Sequence, residues 1–298
     1  MDTPIAGRLS YRQPPPRIGP EQETHVDRTQ IILRDIDRSG LGLEIGPSHN
    51  PIAPRSGGFN VEVVDHLDRE GLLAKYAGHP VDLGRIEEVD HVWQGQPLSE
   101  LIGATGKYDW IIASHVIEHV PDLAGFLAEC ALLLRQGGTL SLAVPDKRFC
   151  FDNLSPLSST GDVLQARLEG RRKHPPGLVF DHFASAAALG GDITWREGSS
   201  GKMTALHTLE QAIQLYALAQ DSGSDYIDIH AWRFTPSSFR LLVGDLCRLG
   251  VMNLGIHRWV DTVGFEFFVS MRHVQEPPAE CRVELARLVN RDLLKGAF

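Results

Sequence analysis

The sequence predicts an α/β fold with a mostly parallel sheet at its centre. Residues 41–45 and 60–64 are two short apolar runs, and each ends in a glycine-bearing or acidic turn, as buried parallel strands do. Residues 110–113 and 139–144 indicate two further strands with a helix between them. Strands that alternate with helices are typical of βαβ units. We therefore expect functional residues at the carboxyl ends of these strands, where open α/β sheets bind ligands.

The first half of the chain supplies three strands and two helices. Thr24 can cap a helix that runs to about Ser39 and ends at Gly40. After the first two strands, residues 68–77 place their apolar side chains on one helical face, and residues 89–93 form the third strand. The link between the first two strands is so short that any helix in it must be brief or irregular.

The helix before the fifth strand has the clearest pattern. Asp122 is a favourable N-cap, and Gly137-Gly138 ends the helix, which we place at residues 122–135. Its apolar stripe, which can cover a sheet, consists of Leu123, Phe126, Leu127, Cys130, Leu133 and Leu134.

The last part of the chain predicts a helix, two strands and a helix. Thr235-Pro236 opens the first helix, which stops at Gly250. Strands follow at about residues 253–260 and 264–271, and a final helix spans roughly residues 279–294.

Four regions are predicted along the chain. Residues 1–23 are rich in proline and form a flexible arm, residues 24–149 form a cofactor-binding core, and residues 233–298 complete that core. Residues 150–232 form an insertion that includes a helix at 208–220, which opens with the capping box Thr208-x-x-Gln211. We read this insertion as a substrate lid or cap, although an oligomerisation or surface elaboration stays open.

Composition narrows the functional classes. The 298 residues carry a formal net charge of -9, which disfavours non-specific nucleic-acid binding. No apolar run is long enough to span a membrane and no signal peptide is evident, so we expect a cytoplasmic protein. The four cysteines show no C-x-x-C spacing, which argues against a zinc knot or a disulfide framework. A homodimer stays open.

The loop after the first strand favours a nucleoside cofactor without a phosphate. It reads Glu44-x-Gly46 and continues through three prolines, so it lacks the glycine turn and free helix N-terminus that hold a pyrophosphate. S-adenosylmethionine has a sulfonium, an amino-acid tail and a ribose diol instead of a phosphate. Carboxylates at Glu44 and Asp65, with a close backbone approach at Gly46, suit that molecule.

Four segments in order resemble the class I S-adenosylmethionine-dependent methyltransferases. They are LGLEIGPS, VEVVDH, YDWIIASHVIEHVPD and LLLRQGGTLSLAVPD, and they cover about residues 40–149. The resemblance implies a Rossmann-like, mostly parallel seven-stranded sheet with a reversed last strand, here with the insertion after strand five.

The same resemblance implies a set of cofactor contacts. This set is Glu44, Gly46, Pro47, Ser48, Asp65, His66, Trp93, Gln94, Gly95, Ser114 and His115. The first-loop residues, from Glu44 to Ser48, would face the methionine part, and Asp65 with His66 would hold the ribose. The three residues 93–95 would flank the adenine. Ser114 and His115 would line the floor under the sulfonium. Two departures from the family pattern are Pro47-Ser48, where further glycines are usual, and Gln94, where many relatives carry an acid.

Candidate residues for the chemistry lie at the same edge. His115 could take a proton from a hydroxyl nucleophile, although packing against the cofactor is an equally good role. Asp146 and Arg148 follow strand five, and with His182 of the insertion they are candidate substrate contacts. The acids and histidines in and beside the insertion show no diagnostic metal-ligand spacing, so no metal ligands are assigned, although a divalent metal that orients a sugar diol stays open.

The predicted activity is transfer of a methyl group to an oxygen of a small-molecule or saccharide acceptor, with a sugar or glycan hydroxyl favoured. The segment PDKRFCFD after strand five resembles glycan-modifying methyltransferases. N-methylation of an amino sugar or natural product and a non-catalytic scaffold are alternatives. His115-Val116-Ile117-Glu118-His119 also matches the H-x-x-E-H pattern of zinc hydrolases, but Pro121 disfavours the helix which that pattern requires.

Overall fold

Residues 27–221 and 225–295 are described by the structure, which is a computed structural model. The predicted arm at residues 1–23 and the predicted cap at Thr24 lie outside the described residues.

Seven strands form one sheet. They are β1 (Gly42–Ile45), β2 (Val61–Asp65), β3 (His91–Val92), β4 (Tyr108–Ser114), β5 (Leu134–Pro145), β6 (Leu254–Val263) and β7 (Glu266–His273). The order across the sheet is β3-β2-β1-β4-β5-β7-β6. All neighbours among β1 to β5 are parallel, and β7 is antiparallel to both β5 and β6. The predicted fold class, with its reversed last strand, is confirmed.

Helices and turns connect the strands. They are α1 (Arg28–Ile32), α2 (Arg69–Tyr76), α3 (Leu98–Ile102), α4 (Leu123–Leu133), α5 (Thr160–Glu169), α6 (Pro176–Ser185), α7 (Leu209–Gln220), α8 (Pro236–Arg248) and α9 (Arg282–Lys295). Asp122 caps α4 by accepting a hydrogen bond from the Gly125 N–H, and Thr235 caps α8 in the same way from Ser238.

Two predicted helices end earlier than expected. The first stops at Ile32 instead of Ser39, and the Ile32 carbonyl accepts a hydrogen bond of 2.7 Å from Ser141 Oγ of the sheet. The helix before strand five stops at Leu133, because Leu134 already pairs with Tyr108 as the first residue of β5. In both places, contact with the sheet takes precedence over the local pattern.

The region between β5 and α8 contains α5, α6, α7 and a small antiparallel pair of strands, Ala187–Leu189 and Met203–Ala205. The Thr208–Gln211 capping box forms at the start of α7, with the two reciprocal hydrogen bonds at 2.9 and 3.3 Å. Helix α6 opens with Pro176, and proline is well suited to a first helical position. Helix α6 packs against α7, and α5 packs against α4 and α8. The role of this region as a lid stays a prediction.

No helix in the described ranges combines the length and the apolar character that a membrane span requires.

Gly42 and Trp110 form a tightly fitted cross-strand pair in the core. They are register partners in β1 and β4, and Trp110 has no exposed surface. A Cβ added at Gly42 would lie 2.1 Å from two atoms of the indole ring. Glycine is therefore required here by the bulk of the neighbouring ring.

We expect Gly42→Ala to lower the free energy of unfolding by about 2 kcal/mol, because the added methyl group overpacks a rigid core. Urea unfolding measures this loss. Gly161→Ala is the matched control, since its Cβ would come no closer than 3.5 Å to any neighbour. The double variant Gly42→Ala, Trp110→Leu should lose less free energy of unfolding than the sum of the losses in the two single variants. An unchanged midpoint for Gly42→Ala would contradict this account of the pair.

Candidate functional site

The carboxyl ends of four parallel strands meet at one edge of the sheet. Ile45 of β1 pairs with Val64 of β2 and with Ala113 of β4. Asp65 pairs with Val92 of β3, and the Trp93 N–H donates to the Asp65 carbonyl at 2.8 Å. The residues that follow these strands are therefore neighbours, as the parallel arrangement predicts.

The loop after β1 turns sharply at Gly46. Its φ is +65°, and an added Cβ would lie 2.9 Å from a methyl group of Val116 on the neighbouring turn. Glu44 holds the far end of the loop, since its carboxylate accepts hydrogen bonds from the N–H groups of Ile52 at 2.6 Å and Ala53 at 3.0 Å. Burial raises the pKa of Glu44 to about 7, although these two hydrogen bonds oppose the rise. The Glu44 side chain thus holds the loop in shape through backbone hydrogen bonds, whereas the sequence predicted that it contacts the cofactor.

Asp65 and Ser48 are joined directly. Asp65 is 2% exposed, and its Oδ2 accepts a hydrogen bond of 2.9 Å from the Ser48 N–H. Its Oδ1 accepts from the His66 N–H at 2.8 Å and lies 2.6 Å from His66 Nδ1. Ser48 has a φ of +54°, and its hydroxyl donates to the Tyr76 hydroxyl at 2.7 Å. A carboxylate has about four acceptor sites, so Oδ2 keeps one for a ligand.

The residues expected beside the adenine lie at the end of β3. The Trp93 ring packs against Phe126, with centroids 6.0 Å apart, and its Nε1 donates to the Gln96 carbonyl at 2.7 Å. Gln94 and Gly95 are exposed. One partly buried aromatic ring with two accessible neighbours can flank a flat base.

A buried network forms the floor of the edge after β4. Arg28 of α1 donates to Ser114 Oγ at 2.5 Å and to both carboxylate oxygens of Glu266, at 2.5 and 3.0 Å. His115 Nε2 lies 2.8 Å from the same carboxylate. Two cationic side chains thus share the Glu266 carboxylate, which is almost fully buried.

His115 is a poor general base in this arrangement. It has a φ of +54° and lies between Glu266 and Glu118, whose Oε1 is 3.4 Å from Nδ1. Burial alone would lower the pKa of His115, but the ion-pair contact with Glu118 and the hydrogen bond to Glu266 raise it to about 9. An imidazole in this state keeps its proton at neutral pH, so the predicted proton transfer is not supported and positioning of the floor is the role that fits.

Glu266 is expected to be essential for stability. Glu266→Gln removes a buried charge that two partly exposed cations share, and breaking a buried ion pair typically costs about 3 kcal/mol. The control is Glu284→Gln, because the Glu284–Arg287 pair is exposed on both sides and such pairs contribute about 0–1 kcal/mol. Thermal unfolding compares the two. Equal melting temperatures for the two variants would contradict the floor network.

Polar groups line the wall beside the floor. His119 Nδ1 lies 2.8 Å from Asp228 Oδ1, and His230 Nδ1 lies 2.6 Å from Asp152 Oδ2. The two imidazole rings stand edge to face, with centroids 4.7 Å apart. Asp152, Asp228 and His230 all come from the insertion, which therefore contributes directly to the edge.

The H-x-x-E-H segment does not form the helix that a zinc hydrolase of this type requires. Residues 117–119 form a turn, and the His119 N–H donates to the Val116 carbonyl at 3.0 Å. His115 is directed to Glu266 and not to His119. The two histidines do not share a helical face, so the hydrolase alternative fails on geometry.

Two predicted substrate contacts, Asp146 and Arg148, bind each other and neighbouring elements of the core. Asp146 and Arg148 are buried and form a paired salt bridge, with the shortest contact at 2.5 Å. Thr262 of β6 also donates to Asp146, and Arg148 reaches the Asp292 carbonyl of α9 at 3.0 Å. The prediction that these two bind substrate is not supported, because the pair ties β5 to β6 and α9.

His182, the third predicted substrate contact, stands behind the wall. Its Nδ1 accepts a hydrogen bond of 3.2 Å from the His230 N–H, and burial lowers the pKa of His182 to about 3. The His182 ring is therefore neutral at pH 7, and it supports the backbone of His230.

Sequence patterns missed three members of the site. Arg28 and Glu266 are 238 residues apart, and no local pattern links them. The one available signal was Glu266 itself, a single acid in the otherwise apolar stretch Phe-Glu-Phe-Phe-Val. Asp228 gave no signal because the short segment around it, Tyr-Ile-Asp-Ile-His, matches no motif used in the sequence analysis.

Comparison with known proteins identifies the family. A family model described as a methyltransferase domain matches residues 25–229. No curated protein matches the chain.

Several solved structures are distantly similar to this chain. A methyltransferase from Methanosarcina mazei, titled as S-adenosylmethionine-dependent, is 15% identical, with 82% of this chain and 98% of that chain covered and a TM-score of 0.40. The CcbJ methyltransferase from Streptomyces caelestis is 13% identical, with 83% and 94% covered and a TM-score of 0.42. A structure from Rhodobacter sphaeroides, titled among the zinc-dependent alcohol dehydrogenases, is 14% identical, with 84% and 90% covered and a TM-score of 0.44. At these TM-scores the three structures carry no argument about activity.

The family match covers more than half of the chain. It agrees with the seven-stranded sheet, in which the last strand is antiparallel, and with the acidic and glycine-bearing strand ends. The chain belongs to the methyltransferase-domain family and is a methyltransferase that uses S-adenosylmethionine.

Proposed function

We propose that this enzyme methylates a hydroxyl oxygen of a small-molecule or saccharide acceptor. The observation that supports the proposal is the wall of hydrogen-bonding side chains beside the floor, formed by Glu118, His119, Asp152, Asp228 and His230. Such a wall suits an acceptor that carries several hydroxyl groups, because carboxylates and imidazoles can both accept hydrogen bonds from them.

The residues at the sheet edge fit S-adenosylmethionine. The positive φ of Gly46 and the lack of room for a side chain there allow close backbone approach by the amino-acid tail. Asp65 stands at the end of β2 with an acceptor site left for a ribose hydroxyl, and Trp93 offers a ring for the adenine. When bound, this cofactor supplies a methyl group on a positively charged sulfur. The sulfur keeps the electrons of the broken bond, while the acceptor oxygen gains the methyl group and releases its proton to solvent.

This chain's own contribution is alignment and exclusion of water. Arg28, Glu266 and His115 lock the floor, so the acceptor meets a rigid surface. Alignment of two reacting groups alone can account for about 7 kcal/mol or more of barrier reduction. The floor residues therefore act by position, without proton transfer at His115.

The insertion is proposed to close over the acceptor. Its last segment is fastened to the turn after β4, since the Ala231 N–H donates to the Glu118 carbonyl at 2.8 Å and Tyr226 donates to the His119 carbonyl at 2.7 Å. Phe265, whose ring is 5.8 Å from that of His115, also lines a cavity of about 470 Å³. Polar and aromatic side chains, which suit a sugar, line this cavity: Asp192, Thr194, Trp195, Arg196, Ser199 and Phe265.

Product analysis with matched acceptors tests the proposal. The enzyme is incubated with S-adenosylmethionine carrying a deuterated methyl group, and mass spectrometry follows the label into a panel of neutral saccharides and their amino-sugar counterparts. Label on a hydroxyl oxygen supports the proposal. Label on nitrogen alone would favour N-methylation, and no transfer to any acceptor by protein that binds the cofactor would favour a non-catalytic scaffold.

A further inference from the structure

Three side chains beside the floor have the chemistry of metal ligands. Glu118, His119 and His230 each offer one donor atom, and these atoms lie within 4.8 Å of one another. Glu118 and His119 follow β4, whereas His230 lies at the end of the insertion. Two distant segments of the chain therefore bring their donors to one point.

The Glu118 carboxylate is buried without a hydrogen bond. Its side chain is 1% exposed, and within residues 27–221 and 225–295 neither of its oxygens has a hydrogen-bond partner. His115 Nδ1 and His119 Nε2 lie 3.4 and 3.9 Å from Oε1, which are distances of ion pairs. The charge of Glu118 is therefore offset by neighbouring imidazoles, but both of its oxygens lack the hydrogen bond that a buried polar atom normally has, and so can ligate an ion.

Both histidines are oriented through the ring nitrogen that faces away from the cluster. Asp228 binds His119 at Nδ1, and Asp152 binds His230 at Nδ1. A hydrogen bond at Nδ1 selects the tautomer in which Nε2 carries the free lone pair, and carboxylates hold metal-binding histidines in this manner. Both Nε2 atoms are thereby prepared to act as ligands.

We propose that Glu118, His119 and His230 bind one divalent transition-metal ion of the zinc or cobalt type. Two imidazoles and a carboxylate are donors that these ions accept, whereas Mg²⁺ and Ca²⁺ prefer oxygen ligands throughout. Ligands of a tetrahedral zinc ion stand about 3.4 Å apart, so the side chains would close by about 1 Å on binding.

The position of the site gives the ion a role with the acceptor. Three protein ligands leave coordination open to an outside oxygen, and the His119 side chain is 32% exposed, so the ion is accessible. An acceptor hydroxyl on the ion releases its proton to solvent more readily, because the charge of the ion lowers its pKa. This role rests on the proposed function, whereas binding of the ion does not.

Titration of the 298-residue chain with Zn²⁺ tests the site. Chelator-treated protein carrying Cys281→Ser, which removes the exposed thiol, is titrated in a calorimeter, and the visible spectrum with Co²⁺ reports the ligands. We expect one ion per chain. Glu118→Gln and His230→Gln should each weaken binding more than tenfold, and Asp228→Asn, which removes only an orienting group, about tenfold. His257→Gln, an exposed histidine elsewhere, is the control and should bind as the parent does.

Thermal unfolding separates a lost ligand from a lost fold. Without metal, Glu118→Gln should still unfold in a single cooperative transition, because the neutral amide fills the same space and His115 keeps its contact with Glu266. Added Zn²⁺ should raise the melting temperature of the parent but not that of the variant. No stoichiometric binding, or equal binding by the ligand variants, would overturn the proposal and leave a buried ion network. Ion binding without methyl transfer to any acceptor would instead refute the proposed function alone.

Discussion

Asp65→Ala is expected to weaken binding of S-adenosylhomocysteine at least tenfold. Asp65 is the one carboxylate at the end of β2, and a hydrogen bond to a charged group contributes about 1.5–3 kcal/mol. The variant also frees the Ser48 N–H, which the carboxylate now holds at 2.9 Å, so the loop after β1 loses a support. Calorimetric titration measures the change in affinity. Asp65→Asn, which keeps one acceptor oxygen, should fall between the variant and the parent.

Glu276→Ala is the matched control for this titration. Glu276 is exposed and follows the end of β7, which runs from the ligand-binding edge to the opposite edge of the sheet. Its removal changes the net charge as Asp65→Ala does but touches no proposed contact. Affinity that falls equally in the two variants, or that survives Asp65→Ala in a folded protein, would show that the ribose is not held at β2.

Gly46→Ala is expected to abolish measurable cofactor binding and to lower stability. The φ of +65° disfavours any L side chain by about 1–2 kcal/mol. The new Cβ would also meet Val116 at 2.9 Å, so the loop must shift away from the turn after β4. Since both segments border the site, the shift would separate groups that must contact one ligand. Titration with S-adenosylhomocysteine and urea unfolding measure the two effects.

Gly250→Ala is the control that distinguishes the effect of backbone strain on stability from the effect of Gly46→Ala on cofactor binding. Gly250 has a φ of +68°, and an added Cβ there meets nothing within 4 Å. This variant should lose a similar amount of stability through strain yet bind the cofactor as the parent does. Full binding by Gly46→Ala would show that close backbone approach at this loop is not needed.

Regular patterns predicted most of the fold, because burial leaves a periodic mark on the sequence. The strand ends at Gly46, Asp65 and His115 were found from their position after apolar runs, and parallel pairing brought them together as expected. The lengths of α1 and α4 were wrong, since each is limited by a contact with the sheet that local sequence does not encode.

The detailed chemistry of the site was less accessible from sequence. The pKa of His115 depends on Glu266, which is 151 residues away, and the burial of Asp146 depends on β6 and α9. Such pairings follow from the way in which distant elements pack, so they carry no spacing signal. The HVIEH segment shows that spacing alone can mislead: it matches a helical zinc motif, but Pro121 and the preceding strand indicated that this helix would not form, and a turn is found.

A crystal structure of the complex with S-adenosylhomocysteine tests the central claim most directly. The claim is that the cofactor lies at the edge where the carboxyl ends of β1, β2, β3 and β4 meet. The expected result places a ribose hydroxyl within hydrogen-bond distance of the Asp65 carboxylate and the adenine beside Trp93 and Gly95. Ligand density at the opposite edge of the sheet, or a ribose that does not contact Asp65, would contradict it.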